Sequence, residues 1–180
     1  VTSLSLRPWR QSDAGALVAA YSCSPDLERQ LSPAAGTGTG AQRVIREDLG
    51  WDRRTACNWA IEDGEAVVGN AGIGRIDHLH HTAWMYYWLA LPARGKGLAA
   101  RAVASLAFWA QEELKLYRLE LGHRTNNPAS CRVALAAGFA PEGIQRAKLR
   151  YGTECFDVET HARLATDPAP DLPLIRLVLP

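Results

Sequence analysis

Arg94-Gly95-Lys96-Gly97 lies between an aromatic run, Tyr86-Tyr87-Trp88-Leu89, and an alanine-rich stretch, Leu98-Ala99-Ala100-Arg101-Ala102-Val103. The combination of types reads as a phosphate-binding loop between a strand and a helix. Gly95 and Gly97 lack a Cβ, so the backbone there can turn sharply and approach a ligand closely. The helix expected to follow presents unpaired N–H groups and the positive end of its dipole at its first turn. Arg94 and Lys96 add two cations beside that end, which suits a pyrophosphate better than a carboxylate. A purely structural glycine-rich turn is the plain alternative.

Three phosphate loops can be drawn through these residues. An NTPase P-loop must end in Gly-Lys-Ser/Thr, which occurs nowhere in the chain, so it is excluded. A dinucleotide fingerprint fits Gly95, Gly97 and Ala100, with Glu120 near the place of a ribose-binding acid. That fingerprint belongs in the first strand–helix turn of a βαβ series, whereas here much other structure precedes it and one strand–helix unit follows. In the third reading, Arg94-x-x-Gly97-x-Ala99 resembles the acetyl-CoA pyrophosphate loop of the GCN5-related N-acetyltransferases, Gln/Arg-x-x-Gly-x-Gly/Ala. One strand later, Asn127-Pro128-Ala129-Ser130, the helix Cys131–Ala137 and Gly138-Phe139 resemble the Asn-x-x-Ser and Gly-Phe pair of the family's ribosomal-protein-alanine (Rim-type) branch. The same residues also make an ordinary helix, with Asn126 or Asn127 as N-cap, Pro128 at the first position and Gly138 as the C-terminal cap.

The resemblance runs from Ser5 to Leu164 and implies an α+β fold. Its sheet would be mixed, mostly antiparallel and twisted, with about seven strands and about four helices, two parallel strands splaying to form an acyl-CoA cleft. The implied activity is direct transfer of an acyl group, usually acetyl, from acetyl-CoA as co-substrate to a primary amine. A catalytically inactive acyl-CoA-binding domain is the other reading. By resemblance, Arg94, Gly95, Lys96, Gly97, Leu98 and Ala99 would hold the diphosphate. The backbones of Trp88, Leu89 and Leu91 and the side chain of Asn127 would hold pantetheine. Ser130 would protonate or hydrogen-bond the departing thiolate, because Ala134 stands where other branches carry a tyrosine acid.

Two departures leave the general base unassigned. Relatives in the resembled branch often carry a glutamate where this chain has Trp84, and some carry one where it has Leu149; Glu120, Glu28 and His80 remain candidates. Without a strong base, the acceptor matters. An α-amine with a pKa near ~8 is about a tenth neutral at pH 7, whereas a lysine amine near ~10.4 costs roughly 4–5 kcal/mol to deprotonate. An α-amine or another weakly basic amine is therefore the expected acceptor.

Composition agrees with one small enzyme domain. The 180 residues are 47% hydrophobic with a formal charge of +1, so no broad basic field supports nucleic-acid or anionic-membrane binding. No apolar run approaches the ~20 residues of a membrane span, and Val1-Thr2-Ser3 starts no signal-peptide pattern. A cytoplasmic location is expected, with an acyl-CoA and an amine acceptor as partners and a second copy of the chain as a further candidate. Cys23, Cys57, Cys131 and Cys155 are irregularly spaced and read as reduced packing residues. Asp77-His78-Leu79-His80-His81 reads as a surface connection and not a metal site, so no metal is expected.

Periodicity supplies the frame. Leu4–Arg7 reads as a strand, and Ser12 or Asp13 caps a helix to about Tyr21. The glycine-rich Ser32–Gly40 is a flexible connector or lid before a helix over about Ala41–Leu49. Ala56–Glu62 and Ala66–Ile76 form a hairpin about Asp63-Gly64. Trp84–Leu89 alternates Trp84, Tyr86 and Trp88 against Met85, Tyr87 and Leu89, as in a central strand covered on both sides. Tyr117–Gly122 is a strand, and Gln145–Arg150 pairs with Cys155–Leu164 about Tyr151–Glu154. The expected domain covers 1–166, and 167–180 is a proline-rich tail that packs across the domain, adds to a partner or stays disordered.

Overall fold

The computed structural model describes residues 4–180; Val1-Thr2-Ser3, and with them the expectation about a signal peptide, lie outside the described residues. Eight strands form one sheet: β1 (Leu4–Pro8), β2 (Ala56–Asp63), β3 (Ala66–Asp77), β4 (Thr82–Leu89), β5 (Arg118–Arg124), β6 (Ala140–Tyr151), β7 (Glu154–Leu164) and β8 (Arg176–Leu177). Their spatial order is β6-β7-β5-β4-β3-β2-β1-β8. The helices are α1 (Ala14–Cys23), α2 (Gly38–Glu47), α3 (Leu98–Glu113) and α4 (Pro128–Ala136). Neighbouring strands run antiparallel except β4–β5 and β1–β8. The α+β architecture expected from the sequence is thus present, with eight strands in place of about seven.

The parallel pair β4–β5 shapes the site. Its pairing stops after Thr82↔Arg118, Ala83↔Leu119 and Trp84↔Glu120, so the rest of β4 and the rest of β5 diverge. The alternation along β4 distributes its side chains as expected. Trp88 is buried with α1 and α2 around Leu17, Leu27, Ala41 and Val44. Met85 and Leu89 join the main core, where α3 contributes Val103, Leu106 and Ala107 and α4 contributes Ala134. A parallel crossover such as β4-α3-β5 needs an intervening element on one face, and the small side chains of α3 let it lie close on the sheet.

Two segments depart from the periodicity reading. The glycine-rich stretch before α2 is packed. Thr37 caps α2, its Oγ1 accepting from Gly40 N at 3.2 Å, so the helix begins at Gly38 and not at Ala41. Ala35 is fully buried, and a Cβ on Gly40 would come within 2.1 Å of the Ala34 carbonyl oxygen, so glycine there serves close packing and not mobility. The second departure is β6, which begins at Ala140 and not at Gln145; irregularities between Pro141 and Gly143 and between Gln145 and Leu149 break the period-two pattern that reveals a strand. The tail takes the first of its expected courses and lies across its own domain. β8 pairs parallel with β1, Ile175 is buried, and Ile175 N donates to Ser105 Oγ at 2.7 Å on α3. Asp77–His81 is the surface connection expected: Asp77 Oδ1 accepts from Leu79 N and His80 N.

Candidate active site

The turn from β4 into α3 is built from two glycines in the left-handed region, Gly95 at φ 78° and Gly97 at φ 75°. L-residues with a side chain rarely occupy that region, which is why glycine stands at both. A Cβ on either would meet nothing within 4 Å, so the space before them is open. Gly97 is the N-cap of α3, and the first N–H groups of the helix have no carbonyl behind them. Gly95, Gly97, Leu98 and Ala99 all line a cleft of about 410 Å³, and Asn127, Ser130 and Val133 of α4 form its opposite wall. The divergence of β4 and β5 therefore separates two helix N-termini, and the cleft lies between them.

Each predicted residue can now be placed. Arg94 lines the cleft but is held: its Nε donates to Leu89 O at 2.9 Å and a terminal nitrogen donates to Asp26 Oδ1 at 3.0 Å. The hydrogen bond Ala90 N→Val68 O turns Ala90 toward β3. By strand alternation the backbone of Trp88 also faces β3, while the N–H of Leu89 faces the gap. Leu91 is not in the cleft wall, and its N–H donates to Ser24 Oγ at 2.9 Å. Lys96 lines a second, more open hollow of about 640 Å³ under α1, beside Arg7 and Asp13. That hollow is larger, yet it shares no wall with Asn127 or Ser130, so only the smaller cleft joins the glycine turn to that pair.

Asn127 and Ser130 form a closed pair. Asn127 Oδ1 accepts from Ser130 N at 3.2 Å, capping α4, and Asn127 Nδ2 donates to Ser130 Oγ at 3.1 Å. The serine oxygen is thus occupied as an acceptor from the asparagine side, which leaves its own O–H to donate elsewhere. Across the cleft, Tyr87 donates from its hydroxyl to Ser130 O at 3.4 Å. Burial raises the Tyr87 hydroxyl above its ordinary range, against a smaller lowering by that hydrogen bond, so it is a neutral donor. Tyr87, Asp26 and Gln30 are cleft residues that the sequence reading did not single out. For Tyr87 the signal was present: a polar tip on the strand face that meets α3 must find a partner.

The candidate bases separate by position. His80 sits in the turn before β4, at the opposite end of that strand from the cleft. Glu120 stands at the last rung beside Trp84 and accepts from Arg118 Nε at 2.6 Å; Arg118 also holds Glu142. Glu28 lies in the turn after α1, between the cleft residues Asp26 and Gln30, but is not itself in the wall. Trp84, in place of a family glutamate, reaches over Gly122, where a Cβ would come within 3.0 Å of its ring. Leu149, in place of the other, is on β6 opposite Phe156.

Comparison with known proteins agrees with this geometry. Residues 3–140 match the family model of the acetyltransferase (GNAT) domain. The ribosomal-protein-serine acetyltransferase of Escherichia coli (strain K12) is 30% identical over 100 residues, 56% of either chain, so the match spans about half the length of that relative. Among solved structures, RimL ribosomal L7/L12 alpha-N-protein acetyltransferase in complex with coenzyme A superposes with a TM-score of 0.79 at 21% identity, covering 91% of this chain and 95% of that one. The microcin C7 self-immunity acetyltransferase MccE in complex with acetyl-CoA and AMP gives 0.80 at 20% identity, covering 90% of this chain and 92% of that one. With the family model spanning most of the chain, the protein belongs to the GNAT acetyltransferase family.

Proposed function

We propose that the protein is an acyl-CoA-dependent N-acyltransferase that carries acetyl from acetyl-CoA to a primary amine by direct attack within a ternary complex. The observation that carries this reading is the cleft itself, which faces the Gly95–Gly97 turn and the N-terminus of α3 with the Asn127–Ser130 pair on α4. The open N–H groups of α3 suit the diphosphate, and the gap between β4 and β5 suits the pantetheine arm. The amine nitrogen attacks the thioester carbonyl and the C–S bond breaks. The oxyanion formed on the way accepts from the gap-facing N–H of Leu89, and the departing thiolate accepts a hydrogen bond from Ser130 Oγ and takes its proton from solvent. The proton lost by the amine goes to solvent, because Trp84 and Leu149 stand where relatives carry carboxylates.

Two of the three proteins named above are, by name, ribosomal-protein acetyltransferases, which supports a protein or peptide N-terminus as the acceptor here. The missing carboxylates point the same way, toward an amine that is partly neutral without help. Thiol release from acetyl-CoA with a panel of amines tests the proposal. Acceptor-dependent CoA release, matched by acetylated amine in the mass spectrum, is the expected result. Tight CoA binding with no release for any α-amine, lysine or small amine would identify an acyl-CoA-binding domain instead.

A further inference from the structure

Behind the first turn of α4, three elements bring four donor side chains together: His123 from β5, Cys131 from α4, and Glu159 with His161 from β7. Their ligating atoms all lie within 4.8 Å of one another. His123 Nε2 and His161 Nε2 are 3.0 Å apart, and Glu159 Oε2 is 3.3 Å from the first and 3.2 Å from the second. The two imidazoles are among the most buried polar groups of the molecule, at 7% and 1% exposure.

The hydrogen positions follow from the outer contacts. His123 Nδ1 lies 3.0 Å from Arg124 O and His161 Nδ1 lies 3.3 Å from Phe139 O. A carbonyl oxygen only accepts, so both Nδ1 atoms carry the hydrogen. Both Nε2 atoms therefore turn lone pairs toward each other and toward a carboxylate oxygen. Three acceptors meeting in a buried space with no hydrogen between them repel, unless something positive sits among them.

A cation fits that space. Four ligands at bonds of about 2.0–2.1 Å span a tetrahedron whose edges are about 3.3 Å, close to the three separations found. The fourth vertex falls to Cys131 Sγ, whose zinc bond is longer at about 2.3 Å. Histidines ligating through Nε2 while giving Nδ1–H to a carbonyl is also the arrangement that orients such ligands. We propose that His123, Cys131, Glu159 and His161 form a zinc site. The set is closed, with four protein ligands and no open position, so the ion is structural and takes no part in acyl transfer, which needs no metal. It fastens the first turn of α4, next to Ser130, to the two strands behind it. Binding replaces the Cys131 thiol hydrogen, which leaves to the buffer.

The test uses the full chain without a histidine tag, stripped by a chelator and dialysed, and reads metal rather than activity. Titration with Zn²⁺ against a chromophoric chelator should give one ion per chain, and Co²⁺ in its place should give the visible bands of a tetrahedral site with a thiolate charge-transfer band. Cys131→Ala should abolish that band. Cys131→Ala and Glu159→Gln, both at partly exposed positions that keep the fold, should each weaken Zn²⁺ by at least about tenfold, since even outer partners of ligands are worth 10–100-fold. A tag-free, folded chain that takes up no zinc, its histidines sharing a proton instead, overturns the proposal. So does an affinity unchanged in both variants.

Discussion

At the residue scale, the chemistry rests on which atom of Ser130 is free. Because Asn127 Nδ2 already donates to Ser130 Oγ, the serine hydrogen is available to the sulfur when charge develops there. Ser130→Ala keeps the helix and removes only that donor. General acid assistance is worth 10²–10⁴-fold, but a thiolate with a pKa near ~8.5 leaves fairly well unaided, so kcat should fall by roughly tenfold to a hundredfold. CoA affinity should stay near that of the wild type, because the hydroxyl acts as the bond breaks. Steady-state kinetics with an identified acceptor check this; a wild-type kcat would reduce Ser130 to a helix-start residue. The residues that are missing matter as much. With Trp84 and Leu149 in place of carboxylates, a peptide with a free N-terminus should be acetylated ahead of the same peptide blocked there but carrying lysine. Mass spectrometry of a competition near neutral pH decides it, and preferential lysine modification would contradict the base-free account.

At the element scale, the site was legible where a local rule forces a residue type. Gly95 and Gly97 are needed for positive φ, Asn127 for the cap of α4, and Gly138 at φ 83° for its end, and each announced an element boundary. The alternation of β4 likewise placed Trp88 and Met85 on their proper faces. What escaped were segments whose conformation depends on distant partners. Gly36 and Gly40 looked like a mobile loop because the tight packing against Tyr21 and the Ala34 carbonyl is invisible in the local sequence. The bulges of β6 erased its period, and Leu91 and Lys96 followed the motif in sequence yet do not line the cleft. The buried histidine pair was invisible for a related reason: His123, Cys131, Glu159 and His161 come from three elements and carry no metal-ligand spacing. The histidines of Asp77–His81, by contrast, are close in sequence but exposed.

At the scale of the whole molecule, the cleft depends on how two halves of one sheet are braced. The tail braces the first half: Arg101 Nε donates to Pro173 O at 3.0 Å, and Trp59 Nε1 donates to Val178 O at 3.3 Å, so α3, β1 and β2 are held by the last residues of the chain. Ending the chain after Asp167 should lower Tm by several degrees, since it removes the buried Ile175, uncovers the core beneath it and takes away the N–H that donates to Ser105 Oγ; burying one such aliphatic side chain is worth about 1.5–3 kcal/mol. An unchanged Tm in thermal denaturation would mean the tail is passive. The central claim concerns the join itself, where CoA would bridge the N-terminus of α3 in one half and α4 in the other. Calorimetric titration of CoA into the wild type and Gly97→Val tests it most directly. Valine at φ 75° costs roughly 1–2 kcal/mol of backbone strain, which a folded domain tolerates, and it fills the space in front of the helix end. The account predicts saturable binding of one CoA per chain in the wild type and no detectable heat in the folded variant, whereas equal affinity in the two would place the diphosphate somewhere other than the Arg94–Ala99 loop.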